Sequence, residues 1–334
     1  MKTRYYIIIV LVIVFSASAF FYSTYAHNIQ EEKARKVFFE YFKPELKPFI
    51  RNYTKKDIVK YKKEAASGNV SAEFNLGNAY VRGKGVKKNY FMAAYWLKKA
   101  AIKEYPLAEI ELGLLYFRGR AVKKDASKAV YWARKAAYQG NSIAQILMAI
   151  SYFKGIGVQQ SDSESVFWLK KAAKHGNALA QVLMGIFYRK GQGVKQDYQK
   201  SLYWFRKAAG KGNPSGQYEM GFAYYHGYGV PKDYSKSFPW FHKAALQGDA
   251  NAQVLTASSY YLGRGVKKNY VKAFYWSKKA AMQGNSEGEL ELGAMYYTGH
   301  GVSQSTPNAL YWGERAAAQG NADAKRFLNE IENK

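Results

Sequence analysis

From Ala72 onward, apolar and small residues recur three or four positions apart. Ala72, Leu76, Gly77 and Tyr80 share one stripe, which predicts a short helix A over 72–82 with one face turned to a neighbour. Gly83 and Gly85 permit a sharp turn that residues bearing a β-carbon would resist, and Val86 supplies an apolar plug behind it. Asn89 is a good N-cap type. After it, Ala93, Trp96, Ala100 and Ala101 form the stripe of a helix B, closed by Gly-Asn punctuation of the kind seen at Gly140-Asn141 and Gly176-Asn177. The whole pattern then returns every 36 residues without drift. Trp96, Trp132, Trp168, Trp204, Trp240, Trp276 and Trp312 mark it, as do Tyr80, Tyr116, Tyr152, Tyr188, Tyr224, Tyr260 and Tyr296. A fixed period in this range marks a solenoid, here seven units over 69–320.

The combination of Leu-Gly, Tyr, a Gly-x-Gly-Val loop, Trp and Lys-Ala-Ala in one two-helix unit resembles the Sel-one-like repeats, a tetratricopeptide-like family. The resemblance covers Asn69 to Gly320. Departures are small: Ala121 in the loop, Ala149 and Ala257 for glycine, and Glu104-Tyr105 for Gly-Asn. They bear on local turn geometry alone. The expected fold class is all-α, a right-handed α/α solenoid (superhelix) of seven 36-residue two-helix repeats with capping half-repeats. Small residues let the helices approach closely, while each tryptophan fills the gap between layers. Burying one indole removes roughly 150–250 Å² from water, worth about 4–6 kcal/mol as an upper bound.

Both ends depart from the lattice. Residues 1–26 carry Lys2 and Arg4 before an apolar run from Tyr5 to Phe15, followed by Ser16-Ala17-Ser18-Ala19 and Thr24-Tyr25-Ala26. This reads as an export signal, with a cleaved signal and a retained membrane anchor both fitting its length. Either way the repeats are expected on the far side of the membrane, periplasmic, anchored facing the periplasm, or secreted. Residues 27–54 read as a polar spacer with a short helix around Gln30 to Phe42, bent at Pro44 and Pro48. A capping helix over 55–68 has Lys60 where tryptophan would fall, and 321–334 repeats helix A alone, with Ala324 and Leu328 in register.

Charge changes the picture next. The 334 residues carry 51 Lys and Arg against 24 Asp and Glu, a formal net charge of +27, and a basic surface favours anionic partners. One column of it, Lys99, Lys135, Lys171, Lys207, Lys243, Lys279 and Arg315, reads as a solvated face of the repeat. Two further columns close helix A. By resemblance to tetratricopeptide repeats, residues just after the tyrosine face a concave groove. The first column is Val81, Phe117, Phe153, Arg189, Tyr225, Tyr261 and Tyr297, and the second is Arg82, Arg118, Lys154, Lys190, His226, Leu262 and Thr298. Aromatics beside cations suit a peptide with acidic and apolar groups. Alternatively the rings pack on the neighbouring unit and the bases cap helix ends.

Catalysis needs unlike groups converging on one point, whereas the polar residues here recur as columns. There is no cysteine, so an exported chain must rely on stacking instead of disulfides. His27, His175, His226, His242 and His300 lack metal-ligand spacing, and no cofactor is expected. The glycine loops lack the Gly-Lys-Ser/Thr ending of a phosphate loop. Cysteine-rich relatives in the same family are described as β-lactamases, and Ser151-Tyr152-Phe153-Lys154 matches Ser-x-x-Lys; but the partner motifs are missing and Ser151 occupies a site filled elsewhere by Ala79, Leu115 and Phe187. The family resemblance implies a non-catalytic scaffold that binds a protein or peptide, in bacterial envelope assembly or host contact. An anionic envelope polymer or lipid surface is the alternative partner. Nucleic acid ranks behind both, since no nucleic-acid motif is present.

Overall fold

A computed structural model describes residues 52–333, so the expected export signal and the expected spacer up to residue 51 lie outside the described residues. Among the described residues there are sixteen helices and no strand. A capping helix, α1 (Lys55–Ala66), precedes the helices of seven sequence repeats. In the first unit these are α2 (Val70–Arg82) with α3 (Tyr90–Ile102), α4 (Pro106–Arg118) with α5 (Ala126–Tyr138), and α6 (Ser142–Lys154) with α7 (Asp162–Lys174), followed by α8 (Ala178–Lys190). A second compact unit begins at Asp197. It holds α9 (Tyr198–Gly210), then α10 (Pro214–His226) with α11 (Tyr234–Leu246), α12 (Ala250–Leu262) with α13 (Tyr270–Met282), α14 (Ser286–Thr298) with α15 (Thr306–Ala318), and the closing helix α16 (Ala322–Glu332). Each unit is a stretch of α/α solenoid in which every helix packs on the one before and the one after it.

Local chemistry sets the helix ends. The helix B N-caps Asn89, Asp125, Ser161, Asp197, Asp233, Asn269 and Ser305 each accept a backbone N–H two or three residues into the helix. Helix A ends at a left-handed glycine in every repeat, from Gly83 to Gly299. The second loop glycine has a further reason to be glycine. A β-carbon on Gly157 would lie 2.3 Å from the Ala126 carbonyl oxygen of the preceding repeat, and one on Gly265 would lie 1.9 Å from that of Tyr234. The loop is therefore where one repeat grips the next.

Between the two helices of a repeat, a small residue faces a large one. Gly77 lies under Leu97, where a β-carbon would be 2.7 Å from the leucine Cγ, and Gly221 lies under Phe241 at the same distance. The paired alanines of helix B, Ala100-Ala101 and their counterparts, are buried through the sixth repeat. The indoles are less uniform than the sequence suggests. Trp168, Trp204 and Trp276 are buried, whereas Trp96, Trp132, Trp240 and Trp312 are half-buried. For Trp168 and Trp240 the residue thirty positions earlier differs. Tyr138 packs edge-on against Trp168 with ring centroids 5.1 Å apart, but the corresponding position before Trp240 is Gly210, which offers no side chain. At the N-terminal end α1 closes the core with Ile58, Tyr61 and Ala65 against Ala72, Leu76 and Ala79. At the other end α16 places Leu328 against Gly313 and Phe327 against Tyr297.

Candidate binding face

The two columns that close helix A differ in kind. In the first, Val81 and Phe153 are buried, and Phe153 packs on Phe187 of the next repeat at 5.8 Å. Phe117, Tyr225, Tyr261 and Tyr297 are half-buried. Each tyrosine also engages its neighbour. The Tyr225 hydroxyl accepts from the Arg264 guanidinium, the Tyr261 hydroxyl is 2.8 Å from His300 Nδ1, and Tyr297 meets Phe327 edge-on. This column therefore joins repeats and leaves only part of each ring for anything else.

The second column is more open. Arg82, Arg118 and Lys154 are half-buried, while Lys190, His226, Leu262 and Thr298 are exposed. Arg82 Nε donates to Asn78 Oδ1 at 3.0 Å. Burial pushes the Glu111 carboxyl up from its ordinary range, against the downward pull of Arg82 and Arg118 on either side. Burial also holds the Lys154 amine below the usual lysine range. The first unit thus carries four bases at the ends of four successive A helices. In the second unit that column, His226, Leu262 and Thr298, holds no lysine or arginine, and the carboxylates Glu287 and Glu291 stand earlier on α14. Glu291 accepts from Ser258 and from Ser277, the latter at 2.9 Å, and burial raises its carboxyl to about 7. Glu287 is raised by burial and by Asp323 nearby.

The lysine column does more than meet solvent. Lys99 Nζ lies 5.2 Å from the ring centroids of both Tyr95 and Trp96, and Lys171 and Lys279 sit similarly over the corresponding pairs. Tyr95, Tyr131, Tyr203, Tyr275 and Tyr311 remain about half exposed, so helix B presents aromatic–cation triads at the repeat spacing.

Two sets of residues escaped the sequence reading. One is a buried polar column at the start of helix A: Glu73, Glu109, Gln145, Gln181, Gln217, Gln253 and Glu289. Thirty residues on, Lys103 reaches Glu73, Gln139 reaches Glu109, Gln247 reaches Gln217 and Gln283 reaches Gln253, each at 2.8 Å. The other pairs the residue between the loop glycines with the first residue of the preceding helix B. Arg120 donates to the Tyr90 hydroxyl at 2.6 Å, Tyr228 stacks on Tyr198 at 5.3 Å, Arg264 lies over Tyr234 and His300 stacks on Tyr270 at 4.3 Å. Both columns are visible as residue types in the sequence, but the 30-residue offset that pairs them is set by helix stacking.

Ser151 is buried on α6, one turn before Lys154, as the lone polar residue lining a small apolar cavity. Among the described residues no group of three His, Cys, Asp or Glu is placed to hold a metal ion. None of the described helices is long and apolar enough to cross a membrane.

The Sel1 repeat pattern matches seven consecutive segments, 70–105, 106–141, 142–177, 178–213, 214–249, 250–285 and 286–321. Among solved structures, a protective antigen of uropathogenic Escherichia coli with an SLR fold is 37% identical with a TM-score of 0.73, over 81% of this chain and 58% of that one. The match thus spans under two thirds of the E. coli protein. A Sel1 repeat protein from Oxalobacter formigenes is 35% identical with a TM-score of 0.71, covering 82% of this chain and 79% of its own length. No curated protein sequence matches the chain.

Proposed function

We propose that this chain, which belongs to the Sel1 repeat family, is an exported, non-catalytic adaptor that holds a protein or peptide partner on its helix A face. Sel1 repeat solenoids generally mediate protein–protein interaction, and a repeat surface lets each unit add side chains without disturbing the core. The observation that carries the reading is the row of bases Arg82, Arg118, Lys154 and Lys190 beside half-buried Phe117. Charge-assisted hydrogen bonds and apolar contact are both on offer there, so an acidic peptide with apolar residues is the partner that fits. Export rests on the sequence of residues 1–26.

The test is the double reversal Arg118→Glu with Lys154→Glu in the full chain, checked for unchanged helicity. Co-purification of the partner from native envelope extract, quantified by mass spectrometry, should fall about tenfold or more, since each hydrogen bond to a charged group is worth roughly 1.5–3 kcal/mol. Equal recovery overturns the proposal.

A second reading, docking on an anionic envelope polymer, is favoured by the half-exposed tyrosine–tryptophan–lysine triads of helix B. Salt separates the two. Charge-led adhesion fades toward 1 M salt, where the screening length is about 3 Å, whereas a complex with buried apolar contacts persists.

A further inference from the structure

Within the first unit, the helix-facing column that holds Leu97 in repeat one and Leu169 in repeat three holds Ala133 in repeat two. Leu97 and Leu169 are both buried, the former on Gly77. In repeat two glycine is kept at Gly113, which packs against the Ala129 carbonyl, and the large residue of the Leu97 column is missing. The result is an apolar cavity of about 30 Å³ bounded by Phe117, Leu147, Ser151 and Ile156 as well as Gly113 and Ala133. Its lining bridges α4, α5 and α6, so it lies at the seam between repeats two and three. Arg118 directly follows Phe117, and Lys154 lies one helical turn beyond Ser151.

We propose that this seam is the anchor point of the bound partner, and that it takes the branched end of an aliphatic side chain flanked by carboxylates in an extended acidic peptide. The inference rests on the helix A face being the binding face. A water-sized group needs roughly 10–15 Å³ of such space, so about 30 Å³ takes the two methyl groups of an isopropyl end but no aromatic ring. Apolar walls supply affinity for the anchor, while Arg118 and Lys154 receive the flanking carboxylates. The half-buried Lys154 amine, disfavoured as a cation by its surroundings, gains most from such a neighbour. Glu111 competes for Arg118 from within the protein.

The full chain is titrated with fluorescein-labelled Asp-Glu-Leu-Asp-Glu, and with the same peptide carrying alanine, phenylalanine or lysine at its centre, read by fluorescence anisotropy. The leucine peptide should bind about tenfold more tightly than the alanine or phenylalanine peptide, the discrimination a small apolar pocket can supply. Ala133→Leu restores the residue used in the neighbouring repeats, so the fold should hold while the preference for leucine disappears. Leu147→Ala widens the cavity and should raise the phenylalanine peptide to at least parity with leucine. If leucine and alanine peptides bind equally well to the unaltered chain, or Ala133→Leu with intact helicity leaves the preference in place, the anchor is overturned; acidic peptides that still lose binding on Arg118→Glu with Lys154→Glu would then leave the broader face standing. If none of the acidic peptides binds, both proposals fail together.

Discussion

Ala121 holds φ at 58° with a β-carbon attached, in the place where the other six loops have glycine. A left-handed backbone costs an L-residue roughly 1–2 kcal/mol, part of which glycine gives back through the entropy of the unfolded chain. Ala121→Gly should therefore stabilise the protein by about 0.5–1 kcal/mol, read as a higher urea midpoint at unchanged slope. The reverse change in the next loop is a different matter. Gly157→Ala meets the same conformational penalty and also drives a β-carbon toward the Ala126 carbonyl 2.3 Å away, so it should cost more than about 2 kcal/mol in the same titration. Glu104, at φ 59°, stands in for glycine in the same way between the first and second repeats. Both departures were legible as substitutions in a glycine column. That the backbone keeps its left-handed turn in spite of them is a tertiary fact, because the flanking helices leave the chain no other route.

At the scale of the element, the helix A start carries a carboxylate in a place where most repeats have glutamine. Glu109 is fully buried, accepts from Gln139 through Oε2, and has no hydrogen-bond partner for Oε1 among the described residues. Burial raises its carboxyl from 4.5 to about 7, with Lys135 pulling down and Glu104 pushing up. The folded state therefore keeps a proton that the unfolded chain has already released between these values, and unfolding free energy falls as pH rises from about 4.5 through about 7. Glu109→Gln adopts the residue used at Gln145 and Gln181. It should flatten that part of the stability–pH curve, measured by urea unfolding at pH 5 and pH 8, and raise stability at pH 8. A curve of unchanged shape would show that the carboxyl is ionised in place. Glu291, also raised to about 7 by burial, leaves a residual slope of the same sign.

For the whole molecule, stacking makes stability a property of neighbours. Trp168 is buried at 1% exposure and backed by Tyr138, whereas Trp96 is half-buried. Trp168→Ala should cost roughly 3–5 kcal/mol by cavity formation, and Trp96→Ala clearly less. Hydrogen exchange should show where the loss goes: amides of α6, α7 and α8 should speed up in Trp168→Ala while those of α13, α14 and α15 in the second unit change little. A uniform rise through both units would mean that the array unfolds as one cooperative block.

The sequence by itself determined the helices, their order and their punctuation, because these depend on contacts within one turn or one loop: the stripes of Ala, Leu and Trp, the Asn, Asp and Ser caps, the positive-φ glycines. Columns of side chains were equally plain, since a fixed period makes them so. Which columns meet was decided only by the tertiary structure. Stacking one repeat on the next offsets partners by thirty residues, so that Gln139 finds Glu109, His300 finds Tyr270 and Tyr138 covers Trp168 while Gly210 provides no such cover. The cavity at the seam of repeats two and three has the same origin. Ala133 is an unremarkable residue in a helix, and it becomes an absence of packing only when Phe117 and Leu147 are folded around the same space.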